Sequence, residues 1–354
     1  MKENNTSMDN LYKLDGKVPI LKAIPFGLQH ILVMFVAGIA TLIQLYPIWK
    51  IGSRLPIVMG FSFTFVAILT YVGATYGYAS AMGAVLIGGL IESCLGLLTR
   101  YWKKIITPIV TESVVTSIGF SLFSVETCFF DGGYSESFSF AENLLLGTIT
   151  LAACLLFNIF AKSYWKQLSV LFGLIVGYIL AIFMGKVDLS VIFNGRLITL
   201  PHLFPFKMKF DLDAIIAVVV IFLVSVAETI GDTSALVNSG LNREVTEEEI
   251  FGSLACDGFC SSISSLFGCP PITYFSQNVG LINMTKVVNR FTIATGAICM
   301  ILAGLLPPIG NFFSSLPESV LGGCTMMMFG TILTSGIEMI SKAGFNQRNV
   351  TFVA

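Results

Sequence analysis

Ten long apolar runs, separated by short polar stretches, set the pattern of this chain. They lie near 24–45, 55–72, 80–98, 105–125, 141–161, 167–185, 211–233, 250–267, 290–308 and 317–340. A helix needs roughly 20 such residues to cross a bilayer. Each run therefore predicts a membrane-spanning helix or a large part of one. The run at 80–98 reads as a half-span leading straight into another span. The region 271–284 reads as a short, interrupted crossing. Counting both broken regions gives about twelve crossings.

The interruption is GCPPITYFSQNVG, from Gly268 to Gly280. Pro270 and Pro271 exclude regular helix, and ITYF favours an extended strand. A strand in hydrocarbon leaves main-chain N–H and C=O groups that must pair inside the protein or line a cavity. The segment ATYGY (74–78) is the expected partner strand. It belongs to a weak internal repeat. GATYGYASAMG (73–83) matches PITYFSQNVG (271–280), and TPIVTESVVTSIG (107–119) matches LPESVLGGCTMMMFG (316–330), in the same order. Two related halves with broken segments at matching places point to a transporter binding site.

Composition places the chain in the membrane. It has 354 residues, of which 55% are hydrophobic and 12% charged, against about 25% charged in soluble domains. Its mean hydropathy is +0.84. A net charge of -1 gives no basic surface for nucleic acid. The eight cysteines form no CxxC pair, and Cys256 and Cys260 read as small buried hydrophobes rather than metal or redox groups. No HExxH motif or nucleophile–base set suggests an enzyme. The polar start, MKENNTSMDNLYKLDGK, lacks a signal-peptide core and reads as a cytoplasmic tail. With the N-terminus inside, only Lys50, Arg54, Lys186, Arg196, Lys207 and Lys209 of the 20 Lys and Arg fall outside. That bias is the one the positive-inside rule expects.

Charges inside apolar runs are the candidates for chemistry, because they are costly there. In SVAETIGDTSAL (225–236), Glu228 and Asp232 stand four apart and share a helix face. They read either as a ligand-facing or proton-carrying pair, or as solvated residues at the interface. Gln277 presents a donor and an acceptor in one plane, where a helix would restart with its positive end at the membrane centre; the other reading is a helix cap. Gln29 and His30 in GLQHILVMF (27–35) are structural hydrogen bonders or ligands. Asp257 is a lone acid in SLACDGFCSSISSLFG (253–268), so a partnered or functional role is expected. Glu92 and Glu112 also lie within apolar runs, without an assigned site. If the ligand is a flat ring, as the resemblance given next implies, Tyr76 and Phe275 are by position the candidates to stack on it, and main-chain amides near both are expected to add hydrogen bonds.

QNVGLINMTK (277–286) resembles the signature Q/E-N-x-G-x-x-x-x-T-R/K of the nucleobase–ascorbate transporters, the nucleobase:cation symporter-2 family. Gln277, Asn278, Gly280, Thr285 and Lys286 fill it. The Gln29-His30 pair, AETIGD, ACDG and LPESVLGG follow the family in order, and the resemblance covers about residues 20–350. It implies an all-α polytopic membrane protein with fourteen spans in an inverted seven-plus-seven repeat. Core and gate domains sit side by side, and the third and tenth spans are short crossed strands. On that plan 1–22 is the cytoplasmic tail and 23–125 begins core and gate. The gate continues over 126–210, core spans occupy 211–308, and 309–354 holds span twelve. The chain stops at NQRNVTFVA, where the thirteenth span would begin, so the last two spans are expected to be missing. Glu112 stands where the family usually has glycine.

The resemblance also implies a function: uptake of a nucleobase by cation symport at the plasma membrane, without a cofactor, by a homodimer. Glu228 would accept N–H groups of the base, Gln277 would read another edge, and Asn278 belongs to the same signature. Uracil-type members tend to carry glutamate at the Gln277 position and histidine at the Asp232 position. This chain is therefore expected to take a purine, xanthine or urate. Asp232, Glu228, His30 and Asp257 would carry a coupled proton, with sodium as the alternative ion. The alternatives left open are a uracil permease, an anion exchanger or channel of the same architecture, and an inactive fragment.

Overall fold

A computed structural model of the chain describes residues 34–98, 140–162, 164–187, 201–276 and 288–343, with isolated positions at 113, 116–117, 120, 130, 198 and 282. Helices dominate. In chain order they are α1 (Met34–Leu45), α2 (Val66–Tyr76), α3 (Tyr78–Leu97), α4 (Phe140–Phe160), α5 (Ser169–Phe183), α6 (Leu212–Leu241), α7 (Glu247–Leu266), α8 (Arg290–Ala303), α9 (Pro307–Ser314) and α10 (Glu318–Ala343). Two three-residue strands, β1 (Met59–Phe61) and β2 (Ile272–Tyr274), pair antiparallel with Met59 opposite Tyr274 and Phe61 opposite Ile272.

Among the described residues, α3, α4 and the first 27 residues of α6 are long and apolar enough to cross a membrane. Their outer faces stay apolar. Ile216, Val220 and Leu223 on α6, and Leu144, Leu145, Leu155, Leu156 and Ile159 on α4, are all exposed. A surface of that kind suits lipid, not water. The apolar runs at 141–161 and 167–185 match α4 and α5 within a few residues, while α6 starts with the run at 211–233 and continues past it to Leu241.

The run at 55–72 is different. It splits into β1, a single 3-10 turn (Phe63–Phe65) and α2. Uniform apolarity hid this split, since a buried strand and a buried helix look alike at that length. Two expectations are corrected here. The segment ATYGY is not a strand: α2 ends at Tyr76 and α3 begins at Tyr78. Gly77, at φ +89° and ψ 156°, makes the corner between them, a backbone shape that only glycine adopts without strain. The run at 80–98 is not a half-span but lies within one helix of 20 residues.

The chain divides into two compact units. One contains α4, α5, α9 and the first part of α10. There α4 and α5 run antiparallel at close range. A Cβ on Gly173 of α5 would collide with Cys154 Sγ of α4, and one on Gly177 with Thr150 Oγ1 of α4. Lys186 just beyond α5 pairs with Glu142 in the first turn of α4 at 3.1 Å. The Tyr178 and Ser315 hydroxyls are 2.8 Å apart.

The other unit contains α1 to α3, α6 to α8 and both strands. Its spine is the antiparallel pair α3 and α7, which touch main chain to main chain. A Cβ on Gly89 would lie 2.6 Å from Gly258 O, one on Gly96 would lie 2.6 Å from Ala255 N, and one on Gly258 would collide with Ser93 N and Gly89 O. Small residues permit this approach. Hydroxyls reinforce it, with Ser93 Oγ donating to Ala255 O at 3.1 Å and Ser262 Oγ to Leu86 O at 3.0 Å. The start of α7 is fixed by a capping box: Thr246 N–H donates to Glu249 Oε2 at 2.9 Å and Glu249 N–H to Thr246 Oγ1 at 3.3 Å. Burial pushes the Glu249 carboxyl up. Hydrogen bonds from Arg243 and Thr246, with the Arg243 charge, outweigh it and hold the group below its ordinary range.

Candidate functional site

Two strands of three residues leave most of their main-chain groups outside the ladder. The neighbouring helices satisfy them. Met59 N–H donates to Thr41 Oγ1 of α1 at 3.0 Å. Ser261 Oγ of α7 donates to Ile272 O at 3.0 Å, and Ser264 Oγ to Pro270 O at 2.6 Å. Tyr274 N–H reaches Asp257 Oδ2 at 3.4 Å, which also accepts from Thr229 Oγ1 at 2.5 Å. The polar stretch of α7 thus exists to hold an extended chain where water is absent. Asp257, fully buried, is partnered as expected for a lone acid in an apolar run.

Glu228 and Asp232 stand one turn apart on α6. Ser276, two residues beyond β2, bridges them. Its Oγ lies 3.1 Å from Glu228 Oε1 and 2.5 Å from Asp232 Oδ2. The other Glu228 oxygen accepts from Thr64 Oγ1 at 2.6 Å, in the turn that follows β1. The hydroxyl of Ser276 has one proton and can donate to one carboxylate at a time. Glu228 is partly buried. Tyr274 Oη reaches the main-chain carbonyl of Asp232 at 3.4 Å and ties β2 to α6 a second time.

The predicted residues divide into three groups. Glu228, Asp232, Asp257 and Phe275 come together around β2. Phe275 lies across Gly60 of β1, whose Cβ, if present, would sit 3.0 Å from the ring. The Phe275 amide is not free for a ligand, because it donates to Val58 O at 3.1 Å. The amide of Gly77, beside Tyr76, is likewise taken by Gly73 O at 3.1 Å. Tyr76 lies elsewhere, a second correction to the expected ring contacts. It packs with α2 and α3, and Asp211 and Asp213 at the start of α6 are among its electrostatic neighbours. Glu228 is some fifteen residues further along that helix, roughly 23 Å away at 1.5 Å per residue. Gln277, Asn278, Gln29, His30 and Glu112 lie outside the described residues.

Sequence reasoning missed Thr64, Ser276 and Thr229. The available signal was weak: a hydroxyl next to Gln277, another next to Glu228, and a third in the β-prone stretch FSFTF.

Comparison with known proteins bears on this arrangement. The model of the Permease family, Xan_ur_permease, matches residues 25–354. The chain is 30% identical to a putative purine permease of Clostridium perfringens (strain 13 / Type A), over 99% of this chain and 84% of that one. It is 30% identical to the xanthine permease XanQ of Escherichia coli (strain K12), over 99% and 85%. It is 34% identical to the uric acid permease PucK of Bacillus subtilis (strain 168), over 91% and 75%. In structure it is similar to the transmembrane domain of a cyanobacterium bicarbonate transporter, BicA. The TM-score is 0.69 at 17% identity, covering 94% of this chain and 90% of that one. At that identity the likeness shows the fold, that of a polytopic membrane transporter.

Proposed function

The chain belongs to the Xan_ur_permease family of permeases, transporters rather than enzymes, and on that premise we propose that it carries a purine nucleobase, xanthine or urate, into the cell by cation symport. The observation that carries this reading is the Glu228 carboxylate. Thr64 and Ser276 hold it in a fixed orientation beside the strand pair. A carboxylate accepts hydrogen bonds and cannot donate them. Oxidised purines offer adjacent ring N–H groups that match it. Gln277 follows Ser276 directly, and an amide there complements the alternating N–H and C=O edge. Phe275, lying over Gly60, supplies an aromatic face for a flat ring. A site that pairs such groups rejects bases that leave them unpaired.

The coupled ion on this reading is a proton, carried by the Glu228 and Asp232 pair that Ser276 bridges. The site then lies in a core that rocks against a gate, within an inverted seven-plus-seven repeat. The protein works in the plasma membrane as a homodimer with its N-terminus in the cytoplasm.

Uptake of radiolabelled xanthine, urate, guanine and uracil, in cells stripped of their own permeases, tests the reading. Xanthine or urate uptake that disappears in Glu228→Gln is the expected result. Uptake of uracil without any purine overturns the substrate assignment.

A further inference from the structure

Residues 46–54, between α1 and β1, form a tight turn that is fastened on two sides. Ile48 and Ile51 exchange main-chain hydrogen bonds at 3.1 Å each. Gly52 N–H donates to Gly252 O of α7 at 3.0 Å, and Arg54 N–H to Gln44 O of α1 at 3.0 Å. Gln44 Nε2 donates to Ser53 Oγ at 2.8 Å and to Ser253 Oγ of α7 at 2.9 Å. A Cβ on Gly52 would collide with Ile43 O, and one on Gly252 with Gly52 O. Trp49 and Arg54 both take the left-handed backbone conformation, at φ +57° and +62°, which costs energy for residues with side chains of this size. This firmly held turn presents apolar side chains to the outside. Tyr46, Ile48 and Trp49 are exposed, Trp49 by 78%. Lys50 Nζ lies 5.7 Å from the centre of the Trp49 ring and 5.8 Å from that of Phe251 on α7. Arg54 is exposed as well.

The depth of this turn follows from α6 and α7. The apolar span of α6 has 27 residues, which is about 40 Å of helix against about 30 Å of hydrocarbon. The end of α6 at Leu241 therefore lies in the headgroup layer, and α7 begins there at Glu247. Phe251 and Gly252, little more than one turn into α7, meet Lys50 and Gly52 at the boundary with hydrocarbon. The same contacts correct the sidedness expected from charge. Lys50 and Arg54 are not across the membrane from Arg243, because all three lie at the end of this unit where α1 and α6 stop and α7 starts. Lys207 and Lys209 lie at the opposite end. There Phe204 N–H donates to Leu266 O at the end of α7 at 2.8 Å, and Lys209 N–H to Ala79 O at the start of α3 at 3.2 Å.

We propose that residues 46–54 are an interfacial anchor that docks this unit onto phospholipid, at the same membrane face as the start of α7. Tryptophan and tyrosine settle where acyl chains meet headgroups. Lysine and arginine lay their stems along apolar surface and keep their charged ends in the polar layer. Tyr46, Ile48 and Trp49 enter the top of the acyl layer, and Lys50 and Arg54 meet headgroup phosphate. Glu247 and Glu248 are exposed in the first turn of α7, so this end is not strongly cationic. The partner is the phosphate common to all phospholipids, and no anionic lipid is required. β1 begins at Met59, shortly after Arg54, so the anchor fixes the height of the strand pair in the bilayer.

The test uses the full chain in phosphatidylcholine vesicles whose acyl chains carry bromine, a fluorescence quencher, near the headgroup or near the chain end. The chain has three tryptophans. Trp102→Phe combined with Trp165→Phe leaves Trp49 alone. The difference between wild type and Trp49→Phe reports the same residue with the other two in place. Bromine near the headgroup should lower Trp49 emission about twofold, and bromine near the chain end should lower it less, as a headgroup-level ring requires. Emission that no brominated lipid lowers overturns the proposal. Quenching by aqueous iodide then puts Trp49 in water, and protection from both quenchers puts it under protein, such as a second copy of this chain. Stronger quenching from the chain end also overturns it. Sidedness is read separately, in a background free of native cysteines. A membrane-impermeant maleimide should label Lys50→Cys under the conditions that label Glu244→Cys. Lys50→Cys that is labelled together with Lys207→Cys instead overturns the shared face. Neither readout involves a purine, so both stand apart from the substrate assignment.

Discussion

At the scale of single residues, the site depends on hydroxyls as much as on acids. Thr64→Val keeps the shape of the side chain and removes the donor to Glu228 Oε2. A hydrogen bond to a charged group contributes about 1.5–3 kcal/mol, so kcat/KM for purine uptake is expected to fall roughly tenfold or more. Kinetics equal to wild type would remove Thr64 from the site. The acids were legible in the sequence. Two carboxylates four apart share a helix face wherever the helix lies, and a lone acid in an apolar run needs a partner. The hydroxyls were not legible. Most of them in this protein do something local and generic: Thr70 bonds Val66 O, Thr150 bonds Leu146 O and Ser234 bonds Ile230 O, each four residues back on its own helix. In the sequence, Thr64 and Ser276 look the same as these. Only the meeting of β1 and β2 separates them.

At the scale of elements, glycines with identical propensities have opposite roles. Gly258 faces the main chain of α3, and a methyl group there would collide with Ser93 N and Gly89 O. Gly296, in the middle of α8, has nothing within 4 Å of where its Cβ would stand. Gly258→Ala should therefore lower the melting temperature in detergent, because overpacking costs about 1–3 kcal/mol. Gly296→Ala should leave it unchanged or raise it, since alanine is the better helix former by about 1 kcal/mol. Equal effects would contradict the close contact. The strands show where sequence reading stops. The prolines before β2 announce it, and ITYF reads correctly as extended chain. Its partner went unrecognised because VMGFSF is as apolar as the helix that follows, while the Thr-Tyr echo in ATYGY pointed to a glycine corner instead.

At the scale of the whole molecule, the lipid-like faces of α4, α5 and α6 were legible from apolar run length alone. Direction across the membrane rests on the distribution of Lys and Arg. That assignment has a direct check at the two ends of α6, in a background free of native cysteines. Lys207 lies just before the helix and Glu244 just after it, and both are exposed. A membrane-impermeant maleimide should label Lys207→Cys in intact cells and reach Glu244→Cys only after the cells are opened. The reverse pattern would invert the orientation. The glycine contact between α3 and α7 has a mechanical consequence for any such carrier. Where two backbones touch at glycines and serine hydroxyls bond across them, sliding or rotation between these helices would have to break both kinds of contact. Each turnover must carry them as a single rigid beam, with bending relegated to corners such as Gly77.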